Sequence, residues 1–170
     1  MVSLARVADQ ADSAGFVQAR CDDALDRLSA LHPAYLARIE RLGAKCWTLD
    51  IDPSARWWGH PQRHLVGDVQ KVGTLYLQCQ FDVALFNGVF GYSLNSKDGQ
   101  NEAIAGLARV LKPSGMLMLG WNTHLVSDPL RLSAIEQLFV RSERADFERR
   151  VTFEDNTHVY DFFELSNLAR

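Results

Sequence analysis

The sequence of 170 residues has few of the features that mark secreted, membrane or metal-stabilised proteins. It has only three cysteines, none in a CxxC pair, so neither a disulfide framework nor a structural zinc site is expected. No apolar run approaches the roughly 20 residues that cross a bilayer, and the first residues lack the apolar stretch of a secretory signal. We therefore expect a cytoplasmic protein that has no membrane partner.

The sequence also has no excess of basic residues. The 18 lysines and arginines are outnumbered by 21 aspartates and glutamates, and the net charge of -3 gives no support for a nucleic-acid partner. The 5 prolines and 11 glycines are scattered and mark no linker. With 47% hydrophobic residues the chain can bury a substantial core, and we expect one domain spanning residues 1–170.

Short apolar runs alternate with helical patterns in the middle of the chain. Strands are predicted at residues 45–50, 64–66, 81–86 and 116–121. A helix is predicted over residues 97–111, where Ile104, Leu107 and Leu111 follow the spacing of one buried face. This alternation predicts a parallel sheet with right-handed crossovers, and in such sheets ligands bind at the carboxyl ends of the strands.

The two ends of the chain follow other patterns. Residues 1–44 carry a leucine-rich stripe that is interrupted at Pro33, and they predict an N-terminal helical part. Residues 129–141 predict a further helix. Residues 151–153 and 158–165 predict a closing antiparallel strand pair.

Four stretches resemble the class I S-adenosylmethionine-dependent methyltransferases in order and spacing. The most specific is RVLKPSG followed by an apolar strand, within residues 107–121. The others are LARIERLGAKCWTLDIDPS, VGDV and FDVALFNGVFGY, at residues 36–54, 66–69 and 81–92. The resemblance implies S-adenosylmethionine as the cofactor and an α/β, Rossmann-like fold. That fold is a mostly parallel sheet with helices on both faces and an antiparallel C-terminal strand pair.

The resemblance places the cofactor's ribose at the end of the second strand. Asp50 matches the acid that accepts hydrogen bonds from both ribose hydroxyls, and Asp52 is the alternative. A carboxylate suits this task because charge-assisted hydrogen bonds are strong. Ile51, between the two acids, is expected to contact the cofactor as well.

Two further strand ends carry the remaining cofactor residues that the resemblance implies. Asp68 matches the acceptor for the adenine amino group, and the backbone of Val69 would meet the ring edge. Asn87 and Gly88 match the loop beside the methionine part, where a glycine lets backbone approach closely. The alternative for each pair is a simple turn that ends a strand.

One element of the resemblance is missing. Active members of the family carry a glycine-rich turn after the first strand, and this sequence has no GxGxG. Two stretches are possible remnants of that turn, RVADQADSAG at residues 6–15 and ALDRLSALHP at residues 24–33. The second has the better spacing to Asp50 and is preferred, although its pattern is typical of a helix.

Three functions remain open. The first is methyl transfer to a small-molecule or sugar-like acceptor, by a chain that could also form a homo-oligomer. The second is a methyltransferase-fold protein that has lost cofactor binding and serves as an interaction module or partner subunit. The third, a nicotinamide-dependent enzyme, also needs a glycine-rich turn and leaves RVLKPSG unexplained. Trp57 and Trp58 could cover an adenine or an acceptor, or could form a partner patch.

Few side chains are candidates for catalysis. His124 follows the strand that ends at Trp121, and it could act as a general base because the pKa of histidine lies near neutrality. Its alternative is a solvated loop residue. His60 and His64 have a metal-like spacing, but Pro61 argues against a helix there and no metal is expected.

Overall fold

The computed structural model describes residues 1–7, 36, 39–41, 43–142 and 149–166. The strands are β1 (Val2–Val7), β2 (Ala44–Asp50), β3 (His64–Val66), β4 (Phe81–Asn87), β5 (Leu111–Asn122), β6 (Phe139–Arg141), β7 (Arg150–Phe153) and β8 (Asn156–Leu165). They form one sheet in the order β3-β2-β1-β4-β5-β8-β6, and β7 also pairs with β8.

The directions of the strands decide where a ligand can bind. β2 is parallel to β3, and β4 is parallel to β5. β1 is antiparallel to both β2 and β4, so those two strands run the same way. β8 is antiparallel to β5, β6 and β7. Six strands therefore point toward one edge of the sheet, against β1 and β8, and the predicted Rossmann-like α/β fold is confirmed.

Three α-helices have both ends among the described residues: α1 (Val72–Leu75), α2 (Lys97–Val110) and α3 (Ser133–Leu138). Ser96 caps α2, since its hydroxyl accepts a hydrogen bond from the backbone of Gly99 at 3.2 Å. Gly106 lets α1 approach α2, because a Cβ there would lie 2.7 Å from Val72 Cγ1. No helix among the described residues is long and apolar enough to cross a membrane.

Strand alternation divides the core between the two faces of the sheet. On β4, Ala84 and Phe86 join the cluster beneath α2, while Val83 and Leu85 join the cluster on the opposite face. The opposite cluster also contains Leu36, which is helical, together with Ile39. Helices therefore cover both faces, as the sequence predicts.

Two predictions about local structure are wrong. Residues 2–7 of the predicted N-terminal helical part form a strand, because β1 fits between β2 and β4 and gains hydrogen bonds on both sides. The predicted helix over residues 129–141 is only partly helical. Its first residues form a 3-10 turn, Pro129–Arg131, and its last three form β6, whose pairing with β8 overrides the helical pattern.

A buried carboxylate ties the C-terminal strands to the sheet. Asp161 on β8 is fully buried and accepts hydrogen bonds from Trp121 Nε1 at 2.9 Å and from Arg141 Nη2 at 2.7 Å. Arg150 on β7 adds two more, from Nε at 2.8 Å and Nη2 at 2.9 Å, and contacts with Asp161 and Asp128 raise the pKa of Arg150. One acid thus connects β5, β6, β7 and β8.

We expect Asp161→Asn to lower the free energy of unfolding by about 3 kcal/mol. Removing one partner of a buried ion pair costs roughly 3–5 kcal/mol, and the partial exposure of both arginines places the effect at the low end. Urea unfolding measures this difference. Asp155→Asn, at an exposed turn position, is the matched control and should change stability by less than about 0.5 kcal/mol. Equal stability of the two variants would contradict a central role for Asp161.

Candidate active site

Two adjoining pockets open at the edge of the sheet where β2 and β4 end. The small pocket has a volume of about 260 Å³ and the large pocket about 800 Å³. Both are lined by Asp50, Asp52, Gly88 and Tyr92. The small pocket continues toward Asp68, whereas the large pocket continues toward the paired ends of β5 and β8. The predicted cofactor residues therefore lie around one continuous cleft.

Asp50 is the last residue of β2 and lies at the boundary between the two pockets. Its Oδ1 accepts a hydrogen bond from the backbone of Asp52 at 3.0 Å. Its Oδ2 forms an ion pair with the amino group of Met1 at 3.2 Å. Asp52 instead accepts from the backbone and side chain of Ser54, and the side-chain hydrogen bond lowers its pKa most. Ile51 is more than half exposed and lines the small pocket.

Asp68 follows β3 and caps the 3-10 turn that contains Val69. Its Oδ1 accepts from the backbone of Gln70 at 2.9 Å, and its Oδ2 accepts from Gln70 Nε2 at 3.1 Å. Both Asp68 and Val69 line the small pocket. A carboxylate oxygen has more than one acceptor position, so these bonds leave capacity for a ligand donor.

Asn87 ends β4 and Gly88 begins the following loop. Asn87 Nδ2 donates to Tyr160 Oη at 3.3 Å, while its Oδ1 is buried without a hydrogen-bond partner among the described residues. Gly88 has a φ of +65°, and a Cβ at this position would meet no atom within 4 Å. Gly120 on β5 allows the close approach, since a Cβ there would lie 2.3 Å from Asn87 Oδ1. The loop thus leaves open space at Gly88.

The direction of β1 bears on the missing glycine-rich turn. β1 starts at the cleft and ends at Val7, which pairs with Ala44 at the opposite edge of the sheet. Of the first possible remnant, residues 6–15, only Arg6 and Val7 are described, and both lie in β1, which runs away from the cleft. The preferred remnant, residues 24–33, lies outside the described residues and stays a prediction.

Polar residues that the sequence analysis missed line the large pocket. Asn122 ends β5 and lies opposite His158 on β8, and Thr157 lies beside them. The predicted base His124 is exposed, and its Nδ1 lies 2.6 Å from Thr157 Oγ1. The predicted closing strand pair was the signal that could have identified these residues. When β8 pairs with β5, the first residues of β8 lie at the edge of the sheet where a ligand binds.

His158 is a half-buried imidazole in this wall. Its Nδ1 lies 3.3 Å from Asn122 Oδ1, and its Nε2 is buried without a partner among the described residues. The ring packs edge-on against Tyr160, with centroids 4.6 Å apart. Burial lowers the pKa of His158, so the ring is neutral at pH 7.

The tryptophans and histidines that the sequence analysis named as further candidates lie in different parts of the structure. Trp57 is 78% exposed, and Trp58, which is 49% exposed, lines the large pocket. His60 is buried and its Nδ1 accepts from the backbone of Gln62 and Arg63, so it organises its loop. No three His, Cys, Asp or Glu side chains group as metal ligands within the described ranges.

We expect the free energy of unfolding to fall as the pH drops below about 6.5. Burial lowers the pKa of His158 from 6.5, so between the folded pKa and 6.5 the unfolded chain binds more protons than the folded one. The contribution of His158 to stability is complete above pH 6.5. It is lost as the pH falls toward the pKa of His158 in the folded protein. Urea titrations across this range should show a smaller fall for His158→Gln than for the wild type. The exposed His124→Gln serves as the control and should follow the wild type.

Comparison with known proteins agrees with this architecture. Residues 29–119, more than half of the chain, match the methyltransferase domain family. No curated protein matches the sequence.

Three solved structures illustrate the shared fold. A methyltransferase from Archaeoglobus fulgidus is 11% identical with a TM-score of 0.57, covering 91% of this chain and 95% of its own. The 1,6-didemethyltoxoflavin-N1-methyltransferase from Burkholderia thailandensis is 16% identical with a TM-score of 0.56, covering 91% and 87%. The N-methyltransferase NodS from Bradyrhizobium japonicum is 16% identical with a TM-score of 0.52, covering 69% and 71%. These identities establish likeness of fold alone. The family match carries the conclusion: this chain belongs to the methyltransferase domain family, and its predicted cofactor, S-adenosylmethionine, is confirmed at the level of that family.

Proposed function

We propose that this protein transfers the methyl group of S-adenosylmethionine to a small-molecule or sugar-like acceptor. The observation that carries the proposal is the convergence of Asp50, Asp68 and Gly88 around the small pocket. The three lie at the ends of three different strands, which all run in the same direction. They match the positions at which the resemblance places ribose, adenine and methionine. The third hypothesis, a nicotinamide enzyme, has no such match.

The chemistry of these residues fits the cofactor. Asp50 is 19% exposed at its side chain and can accept from ribose hydroxyls. Asp68 keeps acceptor capacity for an amino group, and Val69 offers backbone beside it. The open space at Gly88 admits the methionine part, and Asn87 lines the large pocket beside it.

In the proposed mechanism the protein mainly aligns two molecules. The bound cofactor supplies a methyl group on a positively charged sulfur. Asp50 and Asp68 would hold the nucleoside, and the Gly88 loop would hold the remainder. The large pocket would hold the acceptor beside them. Such positioning can supply about 7–11 kcal/mol of the barrier reduction.

The volume of the large pocket limits the size of the acceptor. Its volume of about 800 Å³ lies within the range of small-molecule sites. The net charge of -3 supplies no attraction for a nucleic-acid backbone. A small-molecule or sugar-like acceptor is therefore the better fit, with His124 as its candidate base.

One observation favours the second hypothesis, a methyltransferase-fold protein that has lost cofactor binding. β1 runs away from the cleft and ends at Val7 on the opposite edge of the sheet, so this strand does not point toward a methionine-binding turn at the cleft. A protein of this kind would use the sheet as an interaction scaffold. Titration with cofactor separates the two functions.

We expect Asp50→Ala to weaken S-adenosylhomocysteine binding by about 1.5–3 kcal/mol, the range for hydrogen bonds to a charged group. This is roughly tenfold to a hundredfold in affinity. Stability should change by less than about 1 kcal/mol, because a partly exposed ion pair at a strand end contributes little. Calorimetric titration measures the affinity, with Glu136→Ala on the exposed side of α3 as the control.

The wild-type titration decides between the two functions. A ligand at one hundred times its dissociation constant should stabilise the fold by about 2.7 kcal/mol. A flat calorimetric trace together with no thermal shift at millimolar ligand would exclude methyl transfer and leave the scaffold.

A further inference from the structure

The lining of the large pocket limits the charge of the molecule that it can hold. This lining contains no lysine or arginine among the described residues. The one ammonium group there, on Met1, is already paired with Asp50 at 3.2 Å, and Asp52 adds a further negative charge. Trp58 and Tyr92 present half-exposed aromatic rings. An anionic molecule would find no free counter-charge here, whereas an uncharged ring would find aromatic faces.

Asn122 connects the polar groups of this wall. It is 8% exposed, and the antiparallel register places it opposite His158. Its Nδ2 donates to Tyr92 Oη at 3.2 Å. That bond turns Oδ1 toward β8, where Thr157 Oγ1 lies at 3.4 Å and His158 Nδ1 at 3.3 Å.

One choice of tautomers for the two histidines supplies a proton to every contact in this wall. An amide oxygen only accepts, so in this choice Thr157 Oγ1 and His158 Nδ1 each donate to Asn122. Thr157 has a single hydroxyl proton, so at the 2.6 Å contact its Oγ1 accepts from His124 Nδ1. This assignment gives every contact one proton. Both imidazoles then carry hydrogen on Nδ1 and a lone pair on Nε2.

The two lone pairs differ in access. Nε2 of His158 is buried in the wall, whereas His124 is exposed and lines the pocket. A molecule that enters the pocket can therefore donate a proton to His124 without any rearrangement of β8.

We propose that the large pocket is an acceptor subsite for an uncharged ring that bears an N–H or O–H nucleophile, with His124 as its general base and Thr157 as the residue that positions this base. The proposal rests on the methyl-transfer function and names the substrate class that it would serve. It narrows the acceptor from any small molecule to one that must lose a proton on methylation.

The proton and electron balance follows directly. The acceptor's nitrogen or oxygen lone pair forms the new bond to the methyl carbon, while the carbon–sulfur bond breaks and its electron pair stays on sulfur. The N–H or O–H proton passes to Nε2 of His124, which becomes an imidazolium and later releases the proton to solvent. No oxidant or further reactant is needed.

The tautomer is tested by nitrogen-15 NMR of the histidine side chains in the full chain. The expected result is hydrogen on Nδ1 of His124 in the wild type. Thr157→Val removes the hydroxyl at nearly constant shape and should return His124 to the tautomer with hydrogen on Nε2, which histidine prefers in water. Thr152→Val, an exposed threonine on β7, is the control and should leave His124 unchanged. Hydrogen on Nε2 in the wild type would overturn the positioning role.

The substrate class is tested with three related probes in the absence of cofactor, at slightly alkaline pH. Benzimidazole is uncharged and has an N–H group, 1-methylbenzimidazole lacks that group, and benzimidazole-5-carboxylate is anionic. Benzimidazole should shift the His124 Nε2 resonance, and 1-methylbenzimidazole should bind without that shift. The carboxylate should bind at least about tenfold more weakly than benzimidazole, because the described lining of the pocket has no free cation.

The outcomes separate this proposal from the function on which it rests. Equal or tighter binding of the carboxylate, the same Nε2 shift with both uncharged probes, or no binding of any probe at millimolar concentration would overturn the acceptor subsite. None of these measurements uses S-adenosylmethionine, so failure of methyl transfer would appear only in the separate cofactor titration.

Discussion

The antiparallel pairing of β5 with β8 is the constraint on which the acceptor side of the cleft depends. Because the two strands run in opposite directions, the carboxyl end of one meets the amino end of the other. This places Asn122 opposite His158 and brings Thr157 to His124. The buried Asp161 holds the same pairing from the middle of β8, through Trp121 on β5. Stability and site geometry therefore share one strand pair.

The cofactor side depends on a different rule, the convergence of strand ends in a sheet. β2, β3 and β4 run in one direction, so the residues that follow them meet at one edge. Two of these ends are fixed by local hydrogen bonds: Asp50 accepts from Asp52, and Asp68 caps the next turn. The third is fixed by the positive φ of Gly88. Local turn chemistry thus orients each group before any ligand binds.

The sequence predicted the features that depend on local pattern. β4, α2 and the apolar part of β5 followed from buried runs and the periodicity of α2, and the strand ends placed Asp50 and Asp68 at one edge. It could not predict features that depend on distant pairing. In the sequence alone, β1 resembles any short apolar segment, and β6 fits a helical pattern. They become strands because β1 pairs with β2 and β4, and β6 pairs with β8. Asn122 and Thr157 were missed for the same reason, since neither has a motif and only their pairing makes them neighbours.

The direction of β1 limits how a cofactor can be held. A glycine-rich turn offers a row of backbone N–H groups, and it needs a strand that runs toward the ligand edge. β1 runs the other way and ends beside Ala44, far from Asp50. Among the described residues, the methionine part would then depend on Asn87 and the open turn at Gly88.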